Sequence, residues 1–217
     1  TCALPIYPHL IERAEIARRA LGDRALILGH HYQRDEIIKH ADFRGDSYKL
    51  AKDATQMPDA EFIVFCGVHF MAESADILTP EHQKVILPNL SAGCSMADMA
   101  NIRQVESAWA DITSVVPAET LVPITYVNSA ANLKSFVGEH GGSCCTSSNA
   151  RKVLDWALNK GERFFFFPDQ HLGRNTAIDM GIDPDTEMVL WNPHEKFGGT
   201  TPEALQTAKV ILWKGHC

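Results

Sequence analysis

The stretch Ala25-Leu-Ile-Leu-Gly-His-His-Tyr-Gln33 decides the fold that this sequence predicts, because it joins an apolar run directly to a cluster of polar rings. Residues 25–28 are a short continuous apolar run, which is typical of a buried strand in a parallel sheet. Helical spacing precedes the run over residues 10–21 and ends at Gly22. This order of helix, buried strand and polar loop indicates an α/β protein.

The same order continues along the rest of the chain. Further apolar runs predict strands at residues 62–65, 85–87, 121–126, 143–145, 163–167, 188–191 and 210–213. Amphipathic spacing and capping residues predict helices at residues 35–40, 48–54, 70–78, 105–110, 130–137 and 150–158, after residues 168–173 and from Thr201. The elements form two similar blocks, residues 1–103 and 104–217. We expect the loop-rich segment 181–199 to be a surface excursion, and we assign it no chemistry.

Charge and hydropathy narrow the classes of partner. The 217 residues carry a net charge of -7 and no cluster of Lys and Arg, which argues against a nucleic-acid groove and against an anionic membrane surface. No apolar run approaches the length of a membrane span, and the N-terminus lacks the pattern of a secretory signal. We therefore expect a cytoplasmic protein whose partners are small molecules.

We expect the six cysteines to be reduced thiols, because a chain of this length with an ordinary core needs no disulfide framework. There is no C-x-x-C spacing, so a metal site would combine distant cysteines. Cys94 follows Gly93 and precedes a predicted helix start, which would favour a reactive or metal-bound thiolate. A small buried hydrophobe is the commoner role for an isolated cysteine. Cys94 and Cys217, each after a strand and a glycine, could share one metal centre, but two thiolates make an incomplete site.

Polar side chains follow several predicted strands. In parallel α/β sheets ligands bind outside the carboxyl ends of the strands, where we expect His30, Tyr32, Tyr126 and Asn128. Ser47 lies at a predicted helix start, where its hydroxyl either caps the helix or helps to hold an anion. For His30 and Tyr32, capping and loop packing are the alternative roles.

Both ends of the chain suggest a piece of a longer protein. The sequence begins at Thr1 without an initiator Met and stops at Cys217, directly after the apolar run 210–213. No predicted helix follows that run to cover it. We therefore expect further sequence beyond Cys217.

A set of motifs in this order resembles the quinolinate synthase family, the [4Fe-4S] enzymes of NAD biosynthesis. The motifs cover nearly the whole chain and are, in order, Gly29-His-His-Tyr-Gln33, Gly45-Asp-Ser47, Gly67-Val-His-Phe-Met-Ala-Glu73, Cys94-Ser-Met-Ala-Asp98, Tyr126-Val-Asn128, Cys145-Thr-Ser-Ser-Asn-Ala150, Pro168-Asp-Gln-His-Leu-Gly173 and Trp213-Lys-Gly-His-Cys217.

The resemblance implies a fold of three pseudo-symmetric three-layer αβα domains with short parallel sheets, each giving one cysteine to the cluster. Residues 1–103 and 104–217 would be the first two domains, with the third absent. Cys94 and Cys217 would be two ligands of the [4Fe-4S] cluster, and the third would lie outside this chain.

The resemblance also implies a transferase that condenses iminoaspartate with dihydroxyacetone phosphate to give quinolinate, with functional coupling to L-aspartate oxidase as one further expectation. A cluster with three thiolate ligands leaves one iron open as a Lewis acid. His30 and Tyr32 would be catalytic, and the piece alone is expected to be inactive. The substrate-binding residues would be His30, Ser47, Phe70, Tyr126, Asn128 and Ser147.

Two alternatives stay open at this point. An α/β protein that binds a phosphorylated metabolite without catalysis would use the same serines at helix starts. A zinc enzyme would use His30 or His31 together with Cys94.

Overall fold

The computed structural model describes residues 8–216 and has two parallel β-sheets flanked by helices, which confirms the predicted α/β class. Within that range, no helix is both long and apolar enough to cross a membrane. The chain divides into two compact units between Gly93 and Cys94, ten residues before the end of the first predicted block at residue 103.

The first unit contains a four-stranded sheet in the order β2-β1-β3-β4. Its strands are β1 Ala25–His30, β2 Phe43–Gly45, β3 Phe62–Cys66 and β4 Lys84–Ile86. Its helices are α1 Pro8–Leu21, α2 Asp35–Ile38, α3 Ser47–Asp53 and α4 His69–Leu78. Strand β2 is absent from the sequence prediction, and β1 extends two residues further than predicted. His30 therefore belongs to the strand rather than to the loop after it.

The second unit contains a five-stranded sheet in the order β6-β5-β7-β9-β8. Its strands are β5 Leu121–Tyr126, β6 Ser143–Cys145, β7 Arg163–Phe167, β8 Met188–Trp191 and β9 Val210–Trp213. Its helices are α5 Ile102–Thr113, α6 Ala131–Glu139, α7 Ala150–Lys160, α8 Gln170–Asp179 and α9 Pro202–Thr207. All five of these strands match the predicted bounds.

Helices cover both faces of the second sheet, which explains its uninterrupted apolar strands. Side chains alternate along β7, so Phe165 and Phe167 belong to one core cluster with α5, α6 and α9. Phe164 and Phe166 belong to the opposite cluster with α7 and α8. All four rings have no exposed surface. The unit is thus a three-layer αβα arrangement.

The two sheets share one topology with a single addition. The order β2-β1-β3-β4 corresponds to β6-β5-β7-β9, and β8 is the extra strand at the edge of the second sheet. The segment 181–199 is therefore more than the expected surface excursion, since it supplies β8 and the buried side chains of Ile182 and Trp191.

Strand β9 is covered, contrary to the expectation from the sequence that no helix covers it. It lies between β7 and β8 in the sheet, and all four of its side chains have no exposed surface. Val210 and Leu212 pack in one core cluster, while Ile211 and Trp213 pack in the other. The helices that cover β9 come before it in the chain. The absence of a predicted helix after β9 therefore does not mean that the strand is uncovered.

Candidate active site

The predicted site residues of the first unit follow three neighbouring strands at the same edge of its sheet. His30 is the last residue of β1 and pairs with Gly45, the last residue of β2. Ser47 comes two residues after Gly45 and is buried. Strand β3 lies on the other side of β1 and leads into α4, whose second residue is the buried Phe70. Parallel pairing therefore brings His30, Ser47 and Phe70 to one edge.

The side chain of His30 is buried and packs against two neighbouring rings. Only 6% of its surface is exposed, and its ring centroid lies 4.2 Å from that of His31 and 4.0 Å from that of Tyr32. The backbone N–H of Tyr32 donates to His30 Nδ1 over 3.4 Å. Burial, and secondly the neighbouring His31, lower the pKa of His30 to about 4. At neutral pH the imidazole is uncharged, and its remaining proton lies on Nε2.

Asp46 is a site neighbour that the sequence analysis missed. Its carboxylate caps α3 by accepting the backbone N–H of Lys49 over 2.8 Å, so Asp46 is the N-cap and Ser47 the first helical residue. Asp46 also opposes the lowering of the His30 pKa. Asp and Ser are equally good N-cap residues, so the motif Gly45-Asp-Ser47 alone does not choose between them.

The second unit repeats the spacing of the first. Tyr126 is the last residue of β5 and pairs with Cys145, the last residue of β6. Asn128 follows Tyr126 by two residues, as Tyr32 follows His30, and the exposed Ser147 follows Cys145 by two residues, as Ser47 follows Gly45. Tyr126, Asn128 and Ser147 therefore gather at the corresponding edge of the second sheet.

A buried hydroxyl pair fixes the turn that presents Tyr126 and Asn128. The hydroxyl of Thr125 donates to Ser129 Oγ over 2.9 Å, and the Ser129 hydroxyl donates to the carbonyl of Tyr126 over 2.7 Å. Both side chains have no exposed surface. Satisfied buried hydrogen bonds of this kind hold a turn in one conformation.

Cys94 lies in a loop rather than at a helix start, which corrects the prediction. The residues after it form a single 3-10 turn, Ala97–Met99, and α5 begins only after its N-cap Asn101. The Cys94 side chain is half-buried and its thiol is free of any disulfide. The backbone N–H of Asp98 donates to the Cys94 carbonyl over 3.1 Å, so the loop is closed into a turn.

The other three described cysteines have different surroundings. Burial raises the pKa of Cys66 and raises that of Cys144 to about 11. Burial, and secondly Cys144, raise the pKa of Cys145 further. These thiols remain protonated at neutral pH and are poor ligands as they stand. Within residues 8–216 there is no group of three His, Cys, Asp or Glu side chains that could hold a metal ion; Cys217 lies outside the described residues.

The loop that carries Cys94 is bonded to the segment that leads to Cys217. The indole N–H of Trp213 donates to the carbonyl of Met99 over 2.9 Å, and the backbone N–H of His216 approaches Met99 Sδ at 3.1 Å. Met99, Trp213 and His216 all belong to the second unit. The sequence carried no signal for these bonds, since Met99 and His216 are 117 residues apart.

Neighbouring strands hold the same segment from its other sides. The backbone N–H of Lys214 donates to the carbonyl of Trp191 over 2.8 Å, and that of Gln170 donates to the carbonyl of Gly215 over 3.0 Å. A Cβ atom on Gly215 would lie 1.9 Å from the carbonyl oxygen of Pro168. Residues 213–216 are therefore fixed from β8, from the start of α8 and from the loop after Cys94.

Together these features define an α/β protein with the predicted polar site residues at the carboxyl ends of parallel strands and with two cysteine-bearing segments. The family model described as "Quinolinate synthetase A protein" matches residues 14–217. The chain belongs to this family.

Curated relatives named quinolinate synthase agree with that assignment. The chain is 61% identical to the protein of Corynebacterium glutamicum over 96% of its own length and 53% of the relative. It is 56% identical to that of Streptomyces coelicolor over 98% of its length and 54% of the relative. It is 58% identical to that of a Nocardioides species over 97% of its own length and 55% of the relative. The chain thus spans about half the length of the curated relatives it matches.

Proposed function

We propose that this chain forms part of a quinolinate synthase, a transferase that condenses iminoaspartate with dihydroxyacetone phosphate in the biosynthesis of NAD, in functional coupling with L-aspartate oxidase. Its family membership supports this function. The observation that carries the proposal is the bonding of the Cys94 loop to residues 213–216 through Met99, because it joins two cysteine-bearing segments that are far apart in sequence.

The donor set supports an iron–sulfur cluster rather than a hard cation. Cys94 offers a soft thiol in a half-buried loop, and Cys217 directly follows a segment that is already fixed in place. A third thiolate would come from outside this chain. A cubane cluster on three thiolates supplies one open iron as a Lewis acid toward a substrate oxygen.

The side chains of the first unit would bind and move protons. The neutral His30 can donate from Nε2 to a carboxylate or carbonyl oxygen of the substrate, because its Nδ1 already accepts from Tyr32. Tyr32, whose ring lies tilted against that of His30, would orient the same group. The Ser47 hydroxyl would hydrogen-bond an anionic oxygen, and Phe70 would form an apolar wall.

In the second unit, Tyr126 and Asn128 would hydrogen-bond the condensing intermediate. Their turn is held by the buried pair of Thr125 and Ser129, so these groups are ordered before substrate arrives. The exposed Ser147 would contact the phosphate or a carboxylate of the substrates.

The test is anaerobic iron–sulfur reconstitution of the complete gene product that contains this chain, followed by assay of quinolinate from iminoaspartate and dihydroxyacetone phosphate. We expect bound iron and sulfide, broad visible absorption and activity. Cys94→Ala should lose all of them, whereas the matched change Cys66→Ala should keep the cluster because that thiol is held protonated by burial.

Two results would contradict the proposal. One is a folded protein that takes up no cluster, which would favour a metabolite-binding protein without catalysis. The other is a Cys94→Ala protein that retains the full iron and sulfide content, which would remove Cys94 from the ligand set.

A further inference from the structure

We propose that Met99 is a positioning residue that locks the two cysteine-bearing segments of this chain to each other before any cluster is bound. The inference rests on the proposed function for its purpose, but the contacts that carry it belong to this chain alone. Met99 uses both its backbone and its side chain as hydrogen-bond acceptors toward residues 213–216.

The first contact anchors the strand end. The Trp213 side chain has no exposed surface, and its indole N–H is satisfied by the carbonyl of Met99 at 2.9 Å. A buried indole needs such a partner, because an unpaired N–H in a dry core is costly. The turn after Cys94 is therefore attached to a fixed point of the second core.

The second contact anchors the residue directly before Cys217. The thioether of Met99 accepts the backbone N–H of His216 at 3.1 Å. The His216 side chain is exposed, and its N–H lies beyond the end of β9, so the sheet provides no partner for it. Met99 Sδ is the acceptor that orders this position.

The backbone at Gly215 is closely packed, which holds residues 213–216 next to Met99. An added Cβ at Gly215 would lie 3.4 Å from Met99 Cβ and 1.9 Å from the Pro168 carbonyl oxygen. The backbone is thus enclosed between the loop after β7 and Met99. Loss of the thioether acceptor would release His216, while the strand itself would remain paired.

The variants separate the acceptor from the packing. Met99→Leu keeps an apolar side chain of similar volume and removes the sulfur. Met99→Gln has similar length and restores an acceptor through its carbonyl oxygen. Met96→Leu is the matched control, because Met96 is buried in the same loop and its sulfur accepts no hydrogen bond from residues 213–216 in the described part of the chain.

The first measurement is amide hydrogen exchange in the reduced, cluster-free form of the complete gene product that contains this chain. In Met99→Leu the His216 amide should exchange about five-fold faster, the change expected for one hydrogen bond, with protection along β9 kept. Met99→Gln should return the rate close to that of the wild type, and Met96→Leu should leave it unchanged. Unchanged exchange in Met99→Leu, or equal acceleration in Met96→Leu, would overturn the proposal.

The second measurement is cross-linking by the thiol reagent dibromobimane, with the linked peptides mapped by mass spectrometry. Wild type and Met96→Leu should give the Cys94–Cys217 cross-link, and Met99→Leu should give several-fold less. A full yield in Met99→Leu would overturn the positioning role. If the wild type gives no such cross-link, the shared ligand site of the proposed function fails, and the exchange experiment still decides the role of Met99.

Discussion

At the scale of single residues, His30 shows how its surroundings set its chemistry. The side chain is buried against His31 and Tyr32, so the charged imidazolium is disfavoured and the pKa is lowered to about 4. The proposed binding of substrate oxygens by His30 would use this neutral donor at the end of the strand. Its titration must then also appear in the stability of the fold.

We expect His30 to make stability fall with acid. The unfolded chain binds a proton near the ordinary pKa of 6.5 and the folded chain only near 4, so stability is lost as pH falls through this range, by up to about 3 kcal/mol. Urea unfolding at a series of pH values measures this. The variant His30→Gln should show a weaker dependence of stability on pH between about pH 4 and 6.5. His194→Gln serves as the control, because the side chain of His194 is exposed. A slope as steep in His30→Gln as in wild type would contradict the expectation.

Residue patterns predict the strand ends that carry the candidate site residues, but not the neighbours of those residues. His30, Tyr126 and Asn128 could be placed from the sequence, because they follow apolar runs whose strand character is clear. Asp46 and Met99 could not. The role of Asp46 depends on a helix that begins one residue earlier than predicted, and that of Met99 on contacts between residues more than a hundred positions apart.

At the scale of elements, the strand β8 and the loop after it are the main addition to the repeated topology. Trp191 ends β8 with a buried side chain, and the chain returns over it in the 3-10 segment Lys196–Gly199. Gly198 has φ 66°, and a Cβ there would lie 2.3 Å from Trp191 Cδ2. Only glycine allows both this conformation and this approach.

Gly198→Ala should therefore lower the free energy of unfolding by about 2–4 kcal/mol, through backbone strain together with displacement of the indole. Gly181→Ala is the matched control, because its φ is 87° but no atom lies within 4 Å of an added Cβ. In that variant the free energy of unfolding should fall by about 1–2 kcal/mol, from backbone strain alone. Urea unfolding followed by tryptophan fluorescence measures both, and equal losses would show that the contact with Trp191 contributes nothing.

Elements differ in how well the sequence predicts them. Strands β5 to β9 have the predicted bounds, because runs such as Arg163-Phe-Phe-Phe-Phe167 must be buried on both faces. Strand β2 was missed because Phe43-Arg44-Gly45 has one apolar residue in three and forms a strand only through its pairing with β1. Tertiary pairing outweighs local preference there.

At the scale of the whole molecule, the division between Gly93 and Cys94 defines two units, of which the second has a core on each face of its sheet. The sequence predicts two similar blocks but not the order of the strands within them. The division lies ten residues before the predicted one, and the loop after Cys94 is hydrogen-bonded to Trp213, a residue far away in the sequence.

We expect residues 94–217 to fold when expressed alone, with slow hydrogen exchange along β5, β7 and β9. A fragment of residues 104–217 should be less stable by about 2–3 kcal/mol, because it lacks the Asn101 cap of α5 and the carbonyl of Met99 that accepts the Trp213 indole. Urea unfolding of the two fragments compares them. If the two fragments were equally stable, residues 94–103 would contribute nothing to the second unit, and the unit would begin at residue 104 as the sequence blocks predict.

The burial of β9 has a consequence for the order of events during synthesis. This strand emerges from the ribosome after every other strand of its sheet, yet it lies between β7 and β8 and pairs with both. Until then the edge of β7 is open and β8 has no partner, so the growing chain carries an unfinished sheet with an aggregation-prone edge. The loop after Cys94 likewise cannot form its bond between Met99 and Trp213 before Trp213 has been synthesised. The second sheet can therefore be completed only after its last strand has emerged, and the bonds of Met99 with Trp213 and His216 can form only from that point on.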